Sequence, residues 1–320
     1  MKKQIVISAD QLTDSHVEQI VQACEGWASC ERLPQSLSGA PLEEVLSYTD
    51  IVVGWTNPAS LLSSAVSVYL CGSAGYEAYM GIGLSNKKGF QLTNAGGAMG
   101  ATIAEHCLAM QFALTRELPL IFTQQSQRIF QRCWNAQEIG GSTACIVGLG
   151  NSGRELARRC RALGQKVIGV CRTKDRYHDI VDEVFSSDEL EKAVRKADHI
   201  FCLLPGGPET KNMFHRDIFA AMKPSAFYYT ASRGSVTNEA DLVEALNNGR
   251  IAGAGIDVFE VEPLPPESPL WAIPHVIVSP HSAGLSSRLN DRLTKTFIDN
   301  LINIRDKRPL HHLIPSETLK

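Results

Sequence analysis

The sequence predicts an α/β fold in which parallel sheets carry helices on both faces. Three observations lead there. Short apolar strands alternate with helical patterns along the 320 residues. A glycine-rich segment sits between one such strand and one such helix. Candidate chemical side chains lie just past the ends of later strands. Strictly alternating strand and helix patterns are the mark of a parallel sheet, because a parallel pair needs a crossover helix.

The first stretch reads as a small α/β unit ending near Gly97. "QIVISA" is a strand. "DSHVEQIVQAC" has apolar Val17, Ile20 and Val21 on a helical stripe. "DIVVGW", "VSVYLCGSAG" and "GFQLTNAG" are further strands running into loops. A long helical pattern follows, "ATIAEHCLAMQFALTRELPLIFTQQSQ", apolar almost all round, as expected of a helix buried against another domain or subunit. "RIFQRCWNAQEIGG" has no period and reads as a connecting arm. Strands are then expected at 143–148, 166–171, 198–204, 225–230, 251–256 and 275–279, with helices between. The last helix, about 285–306, is amphipathic through Leu289, Leu293, Phe297, Leu301 and Ile304.

Composition narrows the function. Apolar residues make up 44% and charged residues 20%, enough apolar material for packed cores. The net charge of −3 speaks against a nucleic-acid or membrane-surface partner, which would want a basic patch. Nine cysteines contain no C-x-x-C pair and mostly lie in apolar segments, so neither a disulfide framework nor a metal site is expected. That usage suits a reducing, cytoplasmic setting. The start "MKKQIVISAD" reads as a strand rather than a signal peptide, and no run of about 18 apolar residues suggests a transmembrane helix.

"IVGLGNSGREL" contains Gly148, Gly150 and Gly153 in a G-x-G-x-x-G pattern. It follows the β-branched run "TACIVGLG" and opens a helical segment at Ser152, the context a dinucleotide cradle needs. Gly148 takes the tight turn, Gly150 allows backbone approach to a pyrophosphate, and Gly153 allows the helix to pack on the strand. The alternative is a tight turn with no ligand. About 20 residues on, where an NAD site would place a carboxylate for the ribose hydroxyls, stand Cys171, Arg172, Thr173 and Lys174. A guanidinium beside a hydroxyl suits a 2′-phosphate, so NADP is expected over NAD. The competing reading leaves Arg172 and Lys174 solvating a loop, with Asp175 as a late acidic candidate.

Three segments, "SRGSVTNEADL", "AGIDVFEVEPLP" and "VIVSPHSAG", put Arg233, Glu262 and His281 just past strand ends. Open α/β sheets bind ligands beyond the carboxyl ends of their strands, so these three can converge. Taken singly, each has a plain structural reading: a surface arginine, a charge on a proline-rich loop, a satisfied histidine. Together they suit hydride transfer to a 2-oxo acid. A planar guanidinium can grip the carboxylate and polarise the carbonyl. An imidazole titrating near neutrality can supply the proton, and an adjacent carboxylate favours its protonated form.

The stretches "GLGNSGRELARR", "LPGGPETKNMF", "MKPSAFYYTASRG", "NEADLVEALNNGRIAGAGIDVFEVEPLP", "SPLWAIPHVIVSPHSAG" and "GSAGYE" together resemble the D-isomer-specific 2-hydroxyacid dehydrogenase family over nearly the whole chain. The resemblance implies two doubly wound parallel-sheet domains, a Rossmann nucleotide-binding domain (98–284) inserted into a flavodoxin-like substrate domain (1–97 plus 285–320). It implies catalytic Arg233, Glu262 and His281. It implies substrate-carboxylate contacts from the backbone of Ala74 and Gly75 and from Arg233. It implies cofactor contacts from Gly148, Gly150, Ser152, Gly153, Arg172, Thr173, Leu204, Pro205, Thr210, Ala231 and Asp257, the last facing the nicotinamide carboxamide. It implies a homodimer joined through the long helix from Ala101 and the arm around Trp134, and a 2-oxo or 2-hydroxy acid as substrate, with glyoxylate and hydroxypyruvate first. Departures are the missing acidic residue near Cys171, the Gly206–Gly207 pair, and Thr230 where asparagine is frequent. Two alternatives stay open: an enzyme like 3-phosphoglycerate dehydrogenase, many of which carry a regulatory extension, and a non-enzymatic, dinucleotide-sensing corepressor.

Overall fold

Side chains on the central strands alternate between two buried clusters, one on each face of the sheet, as the period-two geometry of a strand demands. In β1 (Lys3–Ser8), Ile5 and Ile7 enter one cluster while Val6 enters the other. The computed structural model describes residues 2–172, 177 and 179–320, and divides into two compact units, 1–99 with 286–320, and 100–285.

In the first unit β1 is followed by α1 (Asp14–Ala23), β2 (Ala28–Arg32), α2 (Ala40–Leu46), β3 (Ile51–Gly54), β4 (Val68–Cys71) and β5 (Gln91–Thr93). The strands form one all-parallel sheet in the order β2-β1-β3-β4-β5, the flavodoxin-like order. One face is covered by Val17 and Ile20 of α1 and by Leu293, Phe297 and Leu301 of the C-terminal helix. The other carries Leu42 and Leu46 of α2 with Leu319.

Two helices, α3 (Gly96–Thr115) and α4 (Leu118–Ser126), come next in the chain. The second unit's sheet then contains β6 (Thr143–Val147), β7 (Lys166–Val170), β8 (Glu183–Phe185), β9 (His199–Cys202), β10 (Phe227–Thr230), β11 (Gly253–Ile256) and β12 (Val276–Val278). Their spatial order is β12-β11-β10-β9-β6-β7-β8, all parallel. The order reverses between β6 and β9, the switch point where open sheets of this kind bind ligands. Four helices link these strands, α5 (Asn151–Ala162), α6 (Leu190–Lys196), α7 (Arg216–Ala221) and α8 (Glu239–Asn247). α3 and α5 cover one face through Ala104, Cys107, Met110, Leu114, Leu156 and Cys160. α6, α7 and α8 cover the other through Val194, Phe219 and Leu242 among others. The C-terminal helix of the first unit is α9 (Leu289–Arg305).

Several elements differ from the sequence reading. β2 and β8 were not expected. Both are edge strands, and an edge strand lacks the two-sided apolar run that reveals a central one. The long helical pattern is two helices: Glu117 turns left-handed at φ 56°, and Pro119 in the first turn of α4 has no N–H to extend the ladder. α5 begins at Asn151 rather than Ser152. α9 begins at Leu289, after turn residues that the amphipathic pattern did not separate from the helix. α4 buries none of its residues in this chain. The arm after it exposes Phe130 fully and Trp134 by 79%. Among the described residues no helix is long and apolar enough to cross a membrane.

Candidate active site and nucleotide cradle

The loop from β6 to α5 is built by close backbone approach. A Cβ at Gly153 would fall 1.9 Å from the Gly148 carbonyl oxygen, so only glycine lets the first turn of α5 sit on the strand end. Gly148 itself is at φ 103°, a conformation reserved largely for glycine. Above Gly150 a Cβ would meet nothing within 4 Å. That is the opening a pyrophosphate needs and a side chain would fill. The start of α5 carries no side-chain cap and no acidic residue, so its first N–H groups and the positive end of the helix suit an anion. Ser152 lies in this first turn. The cradle therefore fits a dinucleotide.

One residue here escaped the sequence reading. Arg154 folds back over the cradle, its Nη2 donating to Asn151 Oδ1 at 2.8 Å and its Nε to the Gly150 carbonyl at 3.3 Å. The signal was a basic residue directly after the third glycine.

The neighbouring strand ends bring the other cofactor candidates to the same edge of the sheet. Leu204 and Pro205 follow β9, whose exit is held by Leu203 N–H to the Val147 carbonyl at 2.8 Å. The Thr210 hydroxyl donates to the Pro205 carbonyl at 2.8 Å, so it closes its own loop. Ala231 follows β10, its N–H on the Cys202 carbonyl at 3.3 Å. Arg172, past β7, is 84% exposed and has Nη1 3.7 Å from Glu209 Oε2. Thr173, with Lys174 and Asp175, lies outside the described residues.

Beyond β10, β11 and β12 the candidate catalytic groups assemble. His281 Nδ1 lies 2.6 Å from Glu262 Oε2, and the other Glu262 oxygen accepts the Phe259 N–H at 3.0 Å. Burial raises the Glu262 carboxyl. The His281 hydrogen bond, the Phe259 N–H and the charges of His281 and Arg233 outweigh it, and the carboxyl stays below its usual range. With Nδ1 on the carboxylate, Nε2 is the ring nitrogen able to exchange a proton with a ligand. Arg233 is partly buried, its Nη1 on the Ser232 carbonyl at 2.8 Å. The loops after β10 and β11 meet because Gly234 has no side chain: a Cβ there would fall 1.8 Å from the Phe259 carbonyl oxygen.

Asp257 anchors the His281 loop. Its carboxylate is buried and accepts the Ser279 hydroxyl at 2.6 Å, the Ser282 N–H at 2.9 Å and the Ala283 N–H at 3.0 Å. Its carbonyl accepts the His281 N–H at 2.9 Å, and His281 is held left-handed at φ 51°. The sequence reading gave Asp257 a cofactor contact and not this bracing role. Among the described residues no three His, Cys, Asp or Glu side chains gather as metal donors.

In the first unit, Ala74 and Gly75 lie on the half-buried loop after β4. Asn94 Nδ2 donates to the Ala74 carbonyl at 2.7 Å, and Trp55 Nε1 to Ser73 Oγ at 2.9 Å.

A glycine cradle at the switch point of a parallel sheet, with an imidazole–carboxylate pair and an arginine past the same sheet's strand ends, defines a dinucleotide-dependent oxidoreductase. The family model for "D-isomer specific 2-hydroxyacid dehydrogenase, NAD binding domain" matches residues 108–283, and the chain belongs to this family of NAD(P)-dependent enzymes. It is 31% identical to glyoxylate/hydroxypyruvate reductase B of Enterobacter sp., covering 72% of each chain. A D-isomer specific 2-hydroxyacid dehydrogenase family protein from Aeromonas salmonicida superposes with a TM-score of 0.82 at 30% identity, over 99% of this chain and 100% of that one. The NADPH-dependent glyoxylate/hydroxypyruvate reductase of Sinorhizobium meliloti, solved with NADP and sulfate, gives a TM-score of 0.83 at 25% identity over 100% of both chains. The chain also matches the D-3-phosphoglycerate dehydrogenase of Archaeoglobus fulgidus at 28% identity over 85% of its own length, spanning 52% of that relative.

Proposed function

We propose that the protein reduces a small 2-oxo acid, glyoxylate, hydroxypyruvate or a close relative, to the D-2-hydroxy acid, with NADPH preferred to NADH. The observation that carries this reading is the 2.6 Å pair of His281 Nδ1 and Glu262 Oε2 on a loop wrapped around buried Asp257. The bound nicotinamide supplies the hydride. Arg233 binds the substrate carboxylate through its planar fork and polarises the adjoining carbonyl. The backbone N–H groups near Ala74 and Gly75 add to the carboxylate's binding. His281 Nε2 gives its proton to the carbonyl oxygen as that oxygen gains charge, and Glu262 keeps the imidazole oriented and favours its protonated form. One hydride and one proton would thus add across the C=O bond.

In this reading residues 98–284 bind the nucleotide, and 1–97 with 285–320 form the substrate domain. Gly148, Gly150, Ser152 and Gly153 would hold the pyrophosphate. Leu204, Pro205, Thr210 and Ala231 border the nucleotide, and Asp257 faces the carboxamide. Arg172 and Thr173, in the place of an acidic residue, favour a 2′-phosphate. The reductase from Sinorhizobium meliloti, solved with NADP, supports that preference. The exposed Phe122, Phe130 and Trp134 suit a homodimer contact, since apolar patches of this kind mark interfaces.

The test is to mix the protein with NADPH or NADH and glyoxylate, hydroxypyruvate, pyruvate, phenylpyruvate or 3-phosphohydroxypyruvate, and follow nicotinamide absorbance. Turnover of a small 2-oxo acid, fastest with NADPH and with that preference lost in Arg172→Ala, is expected. Dinucleotide binding without turnover on any acid would overturn the reading in favour of a sensor. Exclusive use of the phosphorylated acid would favour the phosphoglycerate dehydrogenase-like alternative.

A further inference from the structure

The buried carboxylate that braces the His281 loop has no lysine or arginine partner among the described residues; a histidine on α3 lies beside it. His106 Nε2 lies 3.5 Å from Asp257 Oδ1, and that nitrogen is buried without another hydrogen-bond partner among the described residues. The backbone explains the meeting. A Cβ at Gly255 in β11 would fall 2.8 Å from Met110 Sδ and 2.9 Å from Met110 Cβ, so α3 rests directly on that strand where a side chain is missing. Four residues back from Met110 is one helical turn, which brings His106 onto the same face. Two residues on from Gly255 is Asp257, on the same side of the strand. Helix and strand thus bring an imidazole nitrogen beside a buried carboxylate by geometry alone. An isolated buried carboxylate is costly unless hydrogen-bonded or paired.

We infer that His106 is a positioning residue for the reduction: its Nε2–H donates to Asp257 Oδ1, and through Asp257 it fixes the 279–283 loop and the imidazole of His281. This rests on the reading of His281 as the proton donor. The arrangement is shared: Asp257 Oδ1 also takes the Ser279 hydroxyl and the Ser282 N–H. Losing the third donor loosens a carboxylate on which three loop groups depend. Misplacing a catalytic group by about 1 Å can cost on the order of 10²-fold in rate.

Two readouts test it. The first needs no activity. With ring-15N histidine, the unsubstituted protein should show a slowly exchanging Nε2-protonated imidazole signal that vanishes in His106→Gln. The second is kinetic. His106→Leu should lower kcat by roughly 10–100-fold, with KM for the oxo acid within about twofold. His106→Gln, whose amide nitrogen can replace Nε2 as a donor, should recover most of the loss. Combined with Asp257→Asn, His106→Leu should add little, since both act on one contact. A bare or freely exchanging Nε2 at His106 overturns the inference even if the leucine variant does not fold. So does unchanged kcat in His106→Leu, or equal loss in the leucine and glutamine variants. Undiminished turnover in His281→Ala would instead sink the proposed function, while leaving the histidine spectrum as expected.

Discussion

A carboxylate 2.6 Å from an imidazole nitrogen orients the ring and stabilises its charged form in the same contact. That makes Glu262 the residue whose replacement has the most specific signature. Glu262→Gln keeps a hydrogen-bonding group beside Nδ1 and removes the charge. In the proposed reduction His281 Nε2 gives the proton, so losing that charge should lower kcat by roughly 10–100-fold with NADPH affinity within about twofold. An unchanged kcat would show that the imidazole does not depend on the carboxylate's charge. Arg233, Glu262 and His281 stood out in the sequence because each follows a strand in a motif of high specificity, and the structure brings His281 and Glu262 into contact. The contacts of His106 and Arg154 were not legible there. A histidine inside an apolar helix looks like any core histidine until a strand glycine is seen to draw the helix onto it. The bracing role of Asp257 was equally hidden, because its partners lie on another strand's loop and only the sheet brings them together.

At the scale of elements, the strands with both faces buried stood out as short apolar runs. β2 and β8, at sheet edges, did not. The break between α3 and α4 was invisible because apolar residues continue across it, and the left-handed turn at Glu117 leaves no mark in periodicity. The face of β9 and β10 that meets α3 carries a consequence for stability. His199 is 2% exposed, stacks on Phe227 with centroids 5.9 Å apart, and has Nδ1 3.2 Å from the Tyr229 hydroxyl. Burial pushes its pKa down from 6.5 to about 4, although the Asp198 charge pulls the other way. As pH falls below 6.5 the unfolded chain takes a proton that the folded chain refuses. Stability is therefore full above that pH and falls progressively down to about 4, by a total of about 3 kcal/mol. The lowered pKa of Asp198 adds losses only at more acid pH, below its ordinary 3.8. Urea midpoints measured from pH 7 to 4.5 should decline in the native protein and decline distinctly less in His199→Leu, whatever that variant's baseline. An equal decline would place the acid-sensitive group elsewhere.

Across the whole molecule, the two all-parallel sheets of 5 and 7 strands follow from a chain whose apolar runs are spaced by helical patterns. Strand order was not readable from spacing; it came with the family resemblance, and the solved relatives share the fold. The substrate stays the least legible feature. Each proposed substrate contact, from Arg233 or from the backbone near Ala74 and Gly75, is with a carboxylate that every 2-oxo acid carries. Proton delivery is the step the account depends on most, and His281→Ala isolates it. Nucleotide affinity by fluorescence titration and steady-state reduction of the best 2-oxo acid should be measured on the same preparation. The account predicts NADPH binding within about twofold of the native protein and a fall in kcat of roughly 10²–10⁴-fold, the usual worth of a general acid. Native turnover in that variant would contradict it.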